Sequence, residues 1–143
     1  MAEVTSHYYE MNHLVSFKTH CLWNIYHFRV LPDIPEVPFD MSRVYPLKQR
    51  EVYKIYKLTK DLPFIKHVWI FGSSVRMDCD IRSDTDIMIE TTFDHKEFPK
   101  CLCDALTPVE LACSVGCDLI RRERISERDF VKLVGYKKGV ELF

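Results

Sequence analysis

Hydrophobic side chains at Leu14, Phe17, Cys21, Ile25 and Phe28 recur at steps of three and four, which predicts an amphipathic helix from Met11 to Val30. His13, His20 and His27 ride the same helix at intervals of seven, in one slowly drifting stripe. Two turns separate neighbours in that stripe, too far for a shared ion, so a half-exposed polar edge is expected. Proline then recurs at every third position through Leu31-Pro32-Asp33-Ile34-Pro35-Glu36-Val37-Pro38. Each proline fixes its own φ and pushes its predecessor extended, so this piece reads as a stiff polyproline-type spacer. Pro46 suits the first turn of a second helix reaching to about Lys60, with Val52, Ile55, Thr59 and Leu62 on its buried side and Asp61-Leu62-Pro63 as its stop.

Lys66 to Phe71 is rich in β-branched and aromatic residues and reads as a strand, followed by a Gly72-Ser73 turn opening a short helix. A polar loop leads to a second strand beginning Asp84-Thr85-Asp86. Thr85, Ile87 and Ile89 point to one face of it, and Asp84, Asp86, Met88 and Glu90 to the other. Thr92 to Leu106 reads as loop then helix, and Thr107-Pro108-Val109-Glu110 has the form of a capping box starting a further helix. Ser114 to Arg121 is a third strand, with Cys117 and Leu119 on one side and Gly116, Asp118 and Ile120 on the other. Ser126 opens a final helix closed by Gly135 or Gly139, and the apolar tail Val140-Glu141-Leu142-Phe143 is expected to pack. The pattern predicts an α/β fold: a small mixed β-sheet with helices packed on one face, plus an extra N-terminal helix. Residues 1–45 make that helix and the proline-rich connector. Residues 46–143 make the main domain, and the whole is one globular unit because the first helix is too short to fold alone.

Composition narrows the function classes. Lys and Arg number 20 against 21 Asp and Glu, so no global basic field exists to hold long nucleic acid. No apolar run reaches membrane-span length and the first residues are polar, so a cytoplasmic protein with no membrane partner is expected. In that compartment the six cysteines are expected as reduced thiols. Cys101-x-Cys103 and Cys113-x3-Cys117 do not have the spacing of a structural zinc site. Arg121, Arg122, Arg124 and Arg128 form a local basic cluster, either a solvated face or a contact to acceptor phosphates or an acidic partner.

The candidate chemistry lies in the aspartates. Asp84 and Asp86 on one strand face are roughly 6–7 Å apart, a repulsion that folding gives no reason to build and a divalent cation would relieve. Asp118, a lone acid among apolar residues on a later strand, needs a partner if buried, and a metal shared with Asp84 and Asp86 would supply one. Glu90 shares the face but stands about 13 Å along the strand, too far to ligate with them. Asp78 and Asp80 read as turn formers.

Gly72-Ser73, then about ten residues, then Asp84-x-Asp86 with apolar followers, then a single Asp118 on a later strand, resembles the nucleotidyltransferase superfamily that includes DNA polymerase β. The short length and the ending GYKKGVELF look like its minimal bacterial-type members, some of which are antitoxins of toxin–antitoxin pairs. The resemblance covers roughly Leu47 to Phe143. It implies the polymerase β-like fold, and a catalytic and metal set of Asp84, Asp86 and Asp118 holding two Mg²⁺ ions. ATP or another nucleoside triphosphate is the implied substrate, its phosphates met by Gly72, Ser73, Arg76 and Ser83. Val75, Met77 and Thr85 depart from the usual pattern, and Met77 narrows the approach to the phosphates. The implied activity is transfer of a nucleoside monophosphate, most simply AMP from ATP, to a hydroxyl of a protein or small molecule, with a partner completing the acceptor pocket. A binding module of another class, an antitoxin-like protein acting by contact with its nucleotide site idle, is the alternative.

Overall fold

A computed structural model describes residues 26–143. His13, His20 and most of the expected Met11–Val30 helix lie outside the described residues. Its last part, residues 26–30, is not helical. There the Phe28 amide donates to the Ser42 carbonyl at 2.5 Å and the Phe28 ring is buried edge-on to Tyr45, with centroids 5.2 Å apart. A tertiary anchor has replaced the helical stripe at that position.

The proline segment also departs from expectation. The Ile34 amide closes a turn on the Leu31 carbonyl at 3.1 Å, and Ile34, Val37 and Phe39 pack on the core. Arg50 grips the Asp33 carboxylate with two hydrogen bonds, at 2.8 and 2.9 Å, and Gln49 accepts from the Leu31 amide at 2.9 Å. The segment is a strap across helix α1 (Pro46–Thr59), because its non-proline residues are apolar and reach a groove that buries them.

The rest is a small α/β unit: three α-helices and a four-stranded mixed sheet among the described residues. The strands are β1 (Ile65–Phe71), β2 (Thr85–Thr91), β3 (Cys117–Arg121) and β4 (Val140–Glu141), in spatial order β3-β2-β1-β4. β1 runs antiparallel to both β2 and β4, while β3 lies parallel to β2. A parallel neighbour requires a crossover, and helix α2 (Lys100–Ala112) is that crossover. The tail packs as expected and does so as β4, with Leu142 buried and its amide bonded to the Val68 carbonyl at 2.8 Å.

Helices cover both faces, not one. Helices α1 and α2 pack Val52, Ile55, Leu102, Leu106 and Val109 against Val68, Ile70, Ile87 and Ile89. The alternate positions Trp69, Phe71 and Met88 are also large and apolar, and Val134 and Phe130 of helix α3 (Glu127–Val134) cover them. Two successive strands apolar on both faces need two covering layers. Helix α2 runs straight through Pro108 instead of restarting there. Thr107 does not cap a new helix; its hydroxyl donates back to the Cys103 carbonyl at 2.9 Å. Burial of Leu102, Leu106 and Val109 on one stripe outweighs the hydrogen bond that proline removes.

Candidate functional site

The three aspartates lie at the starting ends of β2 and β3. Asp84 stands just before β2, which begins at Thr85. Asp86 pairs in register with Asp118 on one side and with Phe71, the last residue of β1, on the other. Parallel pairing of β2 and β3 therefore sets Asp86 and Asp118 side by side on strands that lie about 4.8 Å apart, with Asp84 two residues before Asp86.

Backbone conformation on either side makes room for them. Gly72 has φ +71°, and a Cβ there would lie 1.9 Å from Asp86 Oδ2, a distance no side chain survives. The role expected of Gly72, close approach to a phosphate, is thus joined by a local one: it admits the Asp86 carboxylate. Gly116, at φ +128°, lets the chain turn into β3, and its carbonyl accepts from the Thr85 amide at 3.1 Å.

None of the three carboxylates accepts a hydrogen bond or has a cation in ion-pair range among the described residues. The Asp86 carboxyl titrates above its ordinary value. Burial is the largest cause, then repulsion from Asp118 and from Asp84, while Arg76 and Lys48 pull the other way. Asp118 itself is exposed on the edge strand β3. Its expected need for a partner through desolvation does not hold; the electrostatic strain falls on Asp86 instead. As the side chains stand, no group of three or more His, Cys, Asp or Glu gathers to hold an ion among the described residues.

The phosphate-side residues are arranged differently from expectation. Gly72–Val75 is a single four-residue 3-10 turn, too short to aim a row of free amides or a useful dipole at an anion. Ser73 caps its end by accepting from the Arg76 amide at 3.1 Å. Arg76 is not one turn along a helix: it is extended, and its Nε donates to Asp78 Oδ1 at 3.0 Å. Ser83 is part of a turn closed on Asp80, where its hydroxyl accepts from the Asp80 amide at 3.0 Å. Asp80 is a turn former, accepting from the Arg82 amide at 2.8 Å. Glu90 has Lys66 and His67 within 4.0 Å, which occupies it away from the site.

Two residues that the sequence reading passed over stand behind the acids. Lys48 of α1 is only 3% exposed, and its Nζ donates to the Ser83 carbonyl at 2.5 Å and pairs with Glu51 at 3.6 Å. Their one sequence signal is position: Lys48 precedes Val52 by four residues and so lies on the buried stripe.

The basic cluster is mostly committed internally. Arg121 is buried among Glu123, Thr91 and the carbonyls of Asp94 and Glu97; Arg122 stacks 4.3 Å over Phe130; Arg124 donates to the His95 carbonyl at 2.7 Å. The described cysteines are free thiols, Cys101 and Cys103 exposed on α2, with burial pushing Cys113 up to about 12. No described helix is long and apolar enough to cross a membrane. Comparison of the chain with models of known families, with characterised proteins and with solved structures returned no match.

Proposed function

We propose that the chain is a divalent-cation-dependent nucleotidyltransferase with a polymerase β-like fold, moving a nucleoside monophosphate, most simply AMP from ATP, onto a hydroxyl. One observation carries the reading. Asp86 sits beside Asp84 and Asp118 with its pKa raised, and among the described residues no hydrogen bond or ion pair offsets the repulsion. A protein gains no stability from that arrangement, whereas a hard cation with oxygen ligands converts it into a binding site.

The residues fit such an ion in kind: three carboxylate donors, two of them on paired strand positions, and a glycine that clears space for one. Asp84, Asp86 and Asp118 would hold it. Bound Mg²⁺ supplies charge stabilisation to the attacking and leaving oxygens of an in-line phosphoryl displacement. Asp118, exposed at the sheet edge, is the carboxylate that an acceptor hydroxyl meets from solvent, and its oxygen can take the hydroxyl proton. Arg76, half-exposed and held among the described residues by the neighbouring Asp78, can exchange that carboxylate for a phosphate oxygen.

The test is thermal unfolding with ATP, with and without Mg²⁺, for the native protein and the Asp84→Asn/Asp86→Asn variant. Nucleotide at about a hundredfold its Kd should stabilise by roughly 2.7 kcal/mol, several degrees for this size, only with Mg²⁺ and only in the native protein. Transfer of α-labelled nucleotide to an acceptor then establishes the reaction. The unconverged carboxylates favour a second reading, an antitoxin-like module that acts by contact with this site idle. It predicts no Mg²⁺-dependent shift and partner neutralisation that survives both substitutions.

A further inference from the structure

Lys48 occupies a position on the buried side of α1 where an aliphatic residue would be cheaper, since a buried ammonium must be compensated for lost hydration. Its compensation is specific. The ammonium holds the carbonyl of Ser83, the residue immediately before Asp84, and the Glu51 carboxylate. Glu51 uses its other oxygen on two groups: it accepts from the Thr85 hydroxyl at 3.4 Å, just after Asp84, and from the Ser114 amide at 3.1 Å. Ser114 begins the loop that passes through Gly116 to Asp118, and the Thr85 amide is bonded to the Gly116 carbonyl. One helical turn of α1 thus grips the chain on both sides of Asp84 and at the approach to Asp118.

We infer that Lys48 and Glu51 are positioning residues for the acid site, an ion-paired clasp that fixes the chain on both sides of Asp84 and at the approach to Asp118, next to Asp86. This rests on the metal-dependent reading above. The clasp makes a prediction opposite in sign to simple electrostatics. Lys48 is a positive charge felt by Asp86, so if it acted through its field alone, removing it would tighten cation binding. If it acts by holding the loops, removing it loosens binding. Outer partners that orient ligands change metal affinity by about 10–100-fold when lost.

The experiment is titration with Mn²⁺, followed by the paramagnetic resonance of the free ion, on the native chain and on Lys48→Met, Glu51→Gln, the double variant and Lys54→Met. Lys54 is an exposed lysine of the same helix and controls for net charge. Unfolding midpoints of all five proteins separate stability from affinity. The double variant leaves neither buried charge unpaired and changes the net charge by zero, so it remains informative if Lys48→Met does not fold.

The expected result is binding at least tenfold weaker in Lys48→Met and in the double variant, with Lys54→Met like the native chain. Equal or tighter binding in folded Lys48→Met, or native affinity in the double variant, overturns the clasp and leaves the metal reading standing. A native chain that binds no Mn²⁺ removes the metal reading, and the clasp falls with it.

Discussion

The two ends of the β2–β3 pair carry opposite solutions to the same problem. At the far end Arg121 is 4% exposed, yet each side of its charge is met: Glu123 and Thr91 by side chain, Asp94 and Glu97 by carbonyl. Glu123 feels burial pushing its pKa up, but hydrogen bonds from the Thr91 hydroxyl and amide and from Arg121 win, and it titrates below its ordinary value. At the near end Asp86 is also partly buried, has no such donors, and titrates high. Buried charge is tolerated at one end because it is paired. At the other end, among the described residues, Asp86 has no hydrogen bond or ion pair and only the more distant charges of Arg76 and Lys48 to offset its acidic neighbours.

The comparison breaks most visibly at Arg121. Arg121→Met strands a carboxylate and several acceptors, and should cost about 3–5 kcal/mol in a urea titration, whereas Asp118→Asn at the near end should cost almost nothing. Next in size is Gly72→Ala, which combines a positive φ with a Cβ placed on Asp86 Oδ2 and should cost about 2–3 kcal/mol. In an Asp86→Ala background that cost should drop to about 1 kcal/mol, because the overlap with the carboxylate is gone and the backbone strain, with a tight Cβ contact, remains.

Smaller and sharper is a pair of opposite signs. Glu123→Gln should destabilise by about 1–2 kcal/mol at pH 7. The native pKa of Glu123 is depressed, so its stabilisation exists above the unfolded value near 4.5 and is lost as pH falls through the folded value. The deficit of the variant should therefore shrink in acid. Asp86→Asn should instead stabilise at pH 7, by about 0.5 kcal/mol for so accessible a group. A raised pKa means the folded state favours the proton, so native stability is fullest below 3.8 and declines as pH rises through the folded value. The gain from Asp86→Asn should vanish below pH 3.8 and, if a cation binds, should be reversed by Mg²⁺. A destabilised Asp86→Asn at neutral pH would mean the carboxylate has a donor after all.

Much of the fold was readable from local pattern. Helix α1 with Val52, Ile55 and Thr59 inside, the strands β1 and β2, the Ser126 cap of α3 with its 3.1 Å bond from the Asp129 amide, and the packed tail all follow from local residue pattern and capping chemistry. Periodicity is a property of neighbouring residues, so it survives without knowledge of what lies across the core. The aspartates were also legible, because unlike spacing on a half-buried strand stands out against an apolar background.

What depended on distant partners was not legible. Helix α2 ignores its proline because a stripe of leucines finds a sheet to cover, and the proline strap folds down because α1 offers Gln49 and Arg50. Arg76 leaves the helix drawn for it since the Gly72 turn ends after four residues. Lys48 looks like any helical lysine until the Ser83 carbonyl, 35 residues away, is placed against it. The sequence by itself determined the helix at Pro46–Thr59, the strands that follow it, the final capped helix and which acids share a face. Only the tertiary structure decided which charges are paired, because pairing is set by long-range contacts and desolvation that no local spacing encodes.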